Sequence, residues 1–202
     1  GPGAKGNLKS TTNRRLDDFL PEYQSAEYHE ARTTAPMALV VEAMHQVSDA
    51  DMPGVVLLSW IRAMAHGELA PPITDPVPMF DAMKRPDSGF MVLDDSNRAE
   101  LVYGMVSRPW SNDAPPKVSG PAEFLSFSTP GYVRIAFDFR VVPEGTNVVK
   151  ITTETRILGN DAASRKDFTW YWRLIYPGSA IIRRVILDTI VDRAEAAARP
   201  RA

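Results

Sequence analysis

Residues 131–158 read GYVRIAFDFRVVPEGTNVVKITTETRIL, and this stretch decides the fold of the chain. On either side of the turn at 143–146, every second residue is suited to a buried face. Such period-2 alternation predicts two antiparallel strands, 131–142 and 147–158, that form a hairpin with a dry face and a wet face. The dry-face residues are Val133, Ile135, Phe137, Phe139 and Val141 in the first strand and Val149, Ile151, Thr153, Thr155 and Ile157 in the second.

A long helical segment, 161–198, follows the hairpin directly. Phe168, Trp172 and Ile175 recur at i, i+4 and i+7, which gives the segment an apolar face. One straight helix of this length would span about 55 Å, whereas a domain of this size has a radius of gyration of only ~16–17 Å. The sequence therefore predicts a break or kink at Pro177-Gly178, so that 161–176 closes against the sheet.

The part of the chain before the hairpin contains several shorter patterns. Thr33 and Thr34 precede Ala35-Pro36, which is typical of a helix start. The predicted elements are a strand at 23–31, two short helices beginning near 37 and 52, a short helix at 79–84, strands at 89–94 and 99–106 and a short edge strand at 123–127. Two Pro-rich segments, 70–78 and 107–121, are predicted to be loops because proline lacks the backbone N–H.

Composition narrows the function classes. The chain has 202 residues, 44% of them hydrophobic and 24% charged, with a formal net charge of −2. These values are typical of a globular protein and supply no basic footprint for nucleic acid. The absence of cysteine excludes disulfides and thiolate metal ligands, and it favours a cytoplasmic location. No apolar run approaches the ~20 residues of a membrane span.

Motifs predict neither a metal nor a cofactor. The three histidines, His29, His45 and His66, lie far apart and form no HxH or HExxH spacing. Neither a P-loop pattern nor a GxSxG nucleophile elbow is present. Residues 1–15 are expected to be a disordered tail, whose Gly-Pro start is typical of a cleaved affinity tag, and 16–198 are expected to form a single domain.

Five stretches of the chain resemble the START-like superfamily, also called SRPBCC, and most closely an uncharacterised bacterial group within it. They are LDDFLPEY at 16–23, GFMVL at 89–93, PGYVRIAFDFRV at 130–141, TTETRI at 152–157 and FTWYWRLIYPGSAIIRR at 168–184. The resemblance implies an α+β helix-grip fold, with a curved, mostly antiparallel sheet around a long C-terminal helix and two short helices after the first strand. It also implies an apolar cavity between sheet and helix that takes a lipid, sterol, polyketide or aromatic molecule. The Pro-rich segment 67–83 departs from the resemblance, because the minimal fold needs a shorter connection.

Nine residues are candidate ligand-binding residues, and no catalytic residue is identified. Thr153 and Thr155 place hydroxyls on the dry face, where each needs a hydrogen-bond partner. A cationic group such as Arg173 would select a carboxylate ligand. Ordinary core packing is the alternative interpretation for the apolar members of the set. The full set is Trp60, Tyr103, Trp110, Phe137, Phe139, Thr153, Thr155, Trp172 and Arg173.

Charged residues of the hairpin are interpreted mainly as a solvated face with pairing across the strands. A buried ion network of Arg156 and Arg173 with Glu154 or Asp138 is the alternative. The Arg183-Arg184 pair is interpreted as surface charge. The inward-facing strand positions that can be assigned carry neither a carboxylate nor a histidine, which counts against acid–base catalysis.

These patterns support one leading hypothesis and two alternatives. The leading hypothesis is a protein that binds or carries a hydrophobic small molecule between the sheet and the C-terminal helix. The first alternative is an enzyme of the polyketide cyclase, aromatase or hydratase type. The second is a protein-interaction module, with the interface formed by the Pro-rich loops or by Trp170, which could pair two copies as a homodimer.

Overall fold

The computed structural model describes residues 13–48, 51, 77–111, 114 and 116–200. The predicted second short helix, and Trp60 within it, lie outside these residues. None of the described helices is both long and apolar enough to cross a membrane.

A five-stranded antiparallel sheet forms one layer of this α+β fold, in the spatial order β1-β5-β4-β3-β2. The strands are β1 (Ser25–Thr33), β2 (Met91–Asn97), β3 (Glu100–Ser107), β4 (Val133–Glu144) and β5 (Val148–Gly159). The hairpin predicted from alternation is confirmed, and β4 pairs with β5 from Val133 opposite Gly159 to Glu144 opposite Val148. The helices are α1 (Met37–Gln46), α2 (Met79–Met83), α3 (Pro121–Ser126) and α4 (Ala162–Ala198).

The helix α4 lies across the face of the sheet that was predicted to be dry, which is called the inner face; the opposite side is the outer face. This is the helix-grip arrangement. Asp161 begins it with a capping box, in which its carboxylate accepts from the Ser164 N–H and the Ser164 hydroxyl accepts from the Asp161 N–H. The far half of α4 packs on α1 and on the inner strand residues through apolar side chains. These are Ile182, Ile186, Leu187, Ile190 and Ala194.

The predicted break in α4 is wrong, because one helix of 37 residues runs through Pro177. The kink, which is the other predicted form, stays a prediction. An interior proline removes one hydrogen bond and crowds the preceding turn. Here Pro177 lies on the exposed side of the helix, and both halves are held by burial of Phe168 before it and Ile186 after it. Packing on both sides of the proline therefore keeps the helix continuous.

The predicted wet face of the hairpin is also wrong, because most of it is buried. A 3-10 turn at Arg15–Asp18 crosses this outer face and buries Leu16, and Phe124 of α3 packs on the same cluster. The segment predicted as an edge strand at 123–127 is thus the short helix α3. Ser119 stabilises the first turn of α3, since both the N–H and the hydroxyl of Ser119 donate to the Glu123 carboxylate. Apolar groups from outside the hairpin supply the cover that local alternation could not indicate.

Candidate functional site on the inner face of the sheet

Glu27 is the centre of a buried polar cluster between β1 and α4. Its carboxylate oxygen Oε2 accepts a hydrogen bond of 2.9 Å from the Ser179 hydroxyl. The other oxygen, Oε1, lies 2.8 Å from His29 Nε2. Arg183 completes the cluster, with its Nε 3.4 Å from Glu27 Oε2 and 3.4 Å from Ser179 Oγ. The Glu27 carboxylate is thus contacted by His29 from the same strand and by Ser179 and Arg183, which are one turn apart on α4.

The Glu27–Arg183 pair places two opposite charges in an apolar interior. The Glu27 side chain is inaccessible to solvent and that of Arg183 is 6% exposed. Burial lowers the pKa of the Arg183 guanidinium, and the nearby carboxylates of Glu27 and Asp138 oppose that effect. Because arginine stays protonated even when buried, the pair is net neutral. Burying such a pair is expensive unless each oxygen and N–H is satisfied, and in this cluster both Glu27 carboxylate oxygens have partners.

The cluster is not a serine–histidine–carboxylate triad. In a triad the histidine stands between the serine and the carboxylate and takes the serine proton. Here Glu27 stands in the middle, bonded to Ser179 by one oxygen and to His29 by the other. The Ser179 hydroxyl therefore donates to a carboxylate and not to a histidine, while His29, 18% exposed, retains access to solvent or ligand.

A cross-strand row connects the cluster with the aromatic part of the inner face. Glu27 lies opposite Thr155, Thr155 opposite Phe137, and Phe137 opposite Tyr103. Residues directly opposite in antiparallel strands share a face, with Cβ atoms roughly 4.5–5.5 Å apart. The row therefore runs from a carboxylate through a hydroxyl to two aromatic rings.

Two hydroxyls of this row are buried without a hydrogen-bond partner among the described residues: Thr155 Oγ1 and Tyr103 Oη. Burial raises the pKa of the Tyr103 phenol, an effect reinforced by the carboxylates of Asp95 and Asp81. Buried polar atoms in native proteins are nearly always hydrogen-bonded, so each exception calls for an explanation. Thr153, by contrast, donates to the Asp138 carbonyl oxygen at 2.7 Å.

The predicted aromatic residues Tyr103, Phe137 and Phe139 lie in one aromatic cluster. Tyr103 is stacked between Phe80 of α2 and Phe137, with ring centroids 5.4 Å and 5.8 Å away. Phe139 meets Phe80 edge-on at 5.2 Å. The three predicted residues therefore pack against one another and against Phe80, and their role toward a ligand stays a prediction.

Trp172 and Trp110 lie in a second cluster, near the start of α4. Trp172 stacks on the buried Phe168 ring at 5.7 Å, and Trp110 contacts the same ring at 6.4 Å. Phe90 packs against both clusters and connects them. Arg173 is exposed on the helix and stands apart from the two clusters. The structure thus brings together seven of the nine predicted residues on the inner face, with Arg173 outside it and Trp60 outside the described residues.

The sequence interpretation missed the four residues of the polar cluster. Glu27 and His29 are two apart on β1, so the same parity count that was applied to the hairpin would have placed them on one face. The statement that inward-facing strand positions carry no carboxylate and no histidine is therefore wrong. Ser179 and Arg183 are at i and i+4 on α4, and Arg183 is a buried residue and not surface charge.

The outer face holds a separate, structural ion network. Arg14 bonds both oxygens of the fully buried Asp138, at 2.8 Å and 3.0 Å. Burial lowers the pKa of Arg14, but the hydrogen bonds with Asp138 and the negative charges of Asp138 and Glu154 together outweigh burial, so the pKa is raised. Arg156 bonds Glu154 at 3.1 Å and Asp17 at 2.6 Å. The ion network expected for Arg156 is thus present, without Arg173, and it fastens the N-terminal segment to the sheet.

Comparisons with known proteins give similarity at the level of solved structures. No protein-family model matches the chain, and no curated protein matches it. A hypothetical protein from Helicobacter pylori is 11% identical, with a TM-score of 0.45, over 95% of this chain and 99% of that chain. A protein from Thermus thermophilus is 11% identical, with a TM-score of 0.33, over 87% and 100%. The di-domain ARO/CYC protein BexL is 13% identical, with a TM-score of 0.35, over 87% of this chain and 51% of that chain.

Among the described residues, no three His, Asp or Glu side chains are grouped so that they could hold a metal ion.

Proposed function

We propose that the protein binds an apolar small molecule between the sheet and α4, and that Thr155 orients it. The observation that supports this proposal is the Thr155 hydroxyl, which is fully buried and lacks a partner among the described residues. A buried hydroxyl without a partner costs about 1–3 kcal/mol. A ligand oxygen or N–H that reaches Thr155 Oγ1 would remove this cost in the bound state.

The surroundings of Thr155 indicate the chemistry of the ligand. On one side is Glu27, whose charge is balanced by Arg183 and whose two oxygens already accept hydrogen bonds. On the other side is the Phe137 ring. A net-neutral polar end and an aromatic wall favour an uncharged, largely apolar or aromatic ligand that carries a carbonyl or hydroxyl group. A carboxylate ligand is disfavoured, because Arg183 is already paired and Arg173 lies on the surface.

The expected affinity comes mainly from burial of ligand surface. Covering ~300 Å² of apolar surface at ~25 cal/mol per Å² gives about 7 kcal/mol before ordering costs. One neutral hydrogen bond adds about 0.5–1.5 kcal/mol. Loss of the Thr155 hydroxyl should therefore weaken binding by roughly 2- to 12-fold.

Three measurements test the proposal. Organic extracts of the purified protein, analysed by mass spectrometry, should contain a neutral apolar compound. A neutral aromatic fluorophore such as 1-aminoanthracene should bind in a 1:1 ratio and be displaced by the extract. Thr155→Val should weaken binding of the extracted compound, whereas the matched control Thr153→Val should not, because the Thr153 hydroxyl is already bonded to Asp138. Equal affinity of wild type and Thr155→Val would overturn the role of Thr155.

A second candidate function, an acid–base enzyme of the cyclase or hydratase type, is favoured by one observation. Glu27 and His29 are hydrogen-bonded to each other on the inner face, and His29 is partly accessible. Such a pair can hold and transfer a proton beside a bound substrate. Turnover of an aromatic polyketone or enone with loss in His29→Gln, while fluorophore binding is retained, would support catalysis. Turnover that is unchanged in His29→Gln would count against it.

A further inference from the structure

An apolar stripe runs along the outer side of α4, opposite the side that packs on the sheet. Its residues recur at alternating intervals of three and four, which is the spacing of a coiled-coil seam. The stripe consists of Asp167, Trp170, Leu174, Pro177, Ile181 and Arg184, and all six are exposed. Four central apolar residues are thus flanked by one acidic and one basic residue.

The exposure of the stripe is unusual for a helix that also supplies the core. Trp170 is 70% exposed, Leu174 81% and Ile181 65%, the three highest values among the large hydrophobic residues described. Scattered surface apolar residues need no explanation, but a continuous apolar patch indicates an interaction site. Phe168, only two residues before Trp170, is fully buried, so the helix is apolar on two opposite sides.

We propose that a second copy of this chain covers the stripe, with the two α4 helices antiparallel about a twofold axis between Leu174 and Pro177. In this register Trp170 of one copy faces Ile181 of the other, and Leu174 faces Pro177. The same register sets Asp167 of each copy opposite Arg184 of the other. A twofold axis produces every contact twice, so the seam has four apolar contacts and two charge pairs of opposite sign.

The charges select this arrangement over a parallel one. In a parallel twofold pair each residue faces its own copy, so Asp167 would meet Asp167 and Arg184 would meet Arg184. Like charges placed opposite each other are strongly unfavourable.

The area of the stripe predicts a weak, concentration-dependent dimer. Its large side chains together with Tyr176 offer about 400–500 Å² per copy, using 150–250 Å² for a fully exposed aromatic residue as the scale. Two copies then bury about 800–1,000 Å², at or just below the lower limit of specific interfaces. A lipid surface is the other occupant that an exposed apolar helix could take. A second copy is favoured, because the opposite charges at the two ends of the stripe pair across the twofold axis, whereas an uncharged lipid surface would leave them unpaired.

Sedimentation equilibrium of the full chain from about 1 to 300 μM tests the proposal. Wild type should be a dimer at the upper end, and Trp170→Ala should remain a monomer throughout. Asp167→Arg and Arg184→Asp should each raise the dimer dissociation constant at least about tenfold. The double variant, which exchanges the two charges, should restore it to within about threefold of wild type.

A charge reversal outside the stripe serves as the control, and three outcomes would contradict the proposed dimer. Asp192→Arg, an exposed reversal of charge on the same helix beyond the stripe, should leave the dissociation constant unchanged. A wild type that stays monomeric, or a double variant as weak as the single ones, would overturn the proposed dimer. Wild type that stays monomeric yet sediments with neutral phosphatidylcholine vesicles, and loses this with Trp170→Ala, would assign the stripe to a lipid surface instead. These outcomes are independent of small-molecule binding on the inner face.

Discussion

Replacing Thr155 by valine is expected to stabilise the ligand-free protein, while the same change at Thr153 is not. Both residues are fully buried on the same face of β5. Valine keeps the β-branched shape, so both sites retain their side-chain rotamer preference. Only the hydrogen bonding differs: Thr153 donates to the Asp138 carbonyl at 2.7 Å, and Thr155 has no partner among the described residues.

The size of the difference follows from the two hydroxyls. Removing an unsatisfied buried hydroxyl should recover about 1–3 kcal/mol, and removing a bonded one should cost ~1 kcal/mol. Both variants gain about the same amount from the new buried methyl group, so it cancels in the comparison. The free energy of unfolding of Thr155→Val should therefore exceed that of Thr153→Val by about 2–4 kcal/mol. At ~2–4 °C per kcal/mol for a domain of this size, the melting temperatures should differ by ~4–16 °C.

Differential scanning calorimetry at pH 7 is the appropriate assay, on protein that has been unfolded in guanidinium chloride and refolded to remove any bound compound. Urea titration supplies the free energies of unfolding at one temperature. Two melting temperatures that agree within about 2 °C, or a lower value for Thr155→Val, would refute the conclusion that the Thr155 hydroxyl is unsatisfied.

Three further predictions concern other parts of the structure. Glu27→Gln should lower the free energy of unfolding in urea by about 3–5 kcal/mol, because it leaves the buried Arg183 charge uncompensated; a loss below about 1 kcal/mol would contradict a buried charge pair. Burial, assisted by the hydrogen bond to the Glu30 carboxylate, raises the pKa of Tyr28 to about 12. The stability that the protonated Tyr28 phenol gives the fold is therefore fully present below pH ~10 and is lost as the pH rises through about 12. Tyr28→Phe should accordingly flatten the decline of stability across that alkaline range, and an unchanged slope would argue against the shift. Gly159→Ala should lower the free energy of unfolding by about 1–3 kcal/mol, since the new Cβ would lie 2.7 Å from the Arg165 backbone nitrogen. Gly120→Ala is the control: a Cβ there has nothing within 4 Å, so this variant should melt close to wild type.

The sequence predicted the hairpin and the inner face of β4 and β5, because alternation over twelve residues is a local property. It did not predict that the outer face is covered, because the covering contacts, such as Arg14 with Asp138, join residues that are 124 positions apart in the sequence. The break expected at Pro177 failed for a similar reason. An interior proline does destabilise a helix locally, but packing of distant segments on both halves of α4 outweighs this cost.

The candidate site was only partly accessible from the sequence. The parity count placed Thr153 and Thr155 inward, and both are buried. It could not distinguish the bonded hydroxyl from the unbonded one, since the difference depends on the position of one carbonyl oxygen. Glu27 was missed because β1 has few apolar residues to define its faces, and a charged residue is seldom assigned to an interior.

The continuity of α4 through Pro177 makes one helix a common part of the two binding surfaces proposed above. Ser179 and Arg183 reach the polar cluster on its inner side, and Ile181, between them in sequence, belongs to the outer stripe. The proline leaves the Arg173 carbonyl without its usual helical donor, so the helix is most easily bent one turn before these residues. A change of helix direction at this joint would move both surfaces together, and thermodynamic linkage would then require each partner to alter the affinity of the other by the same factor.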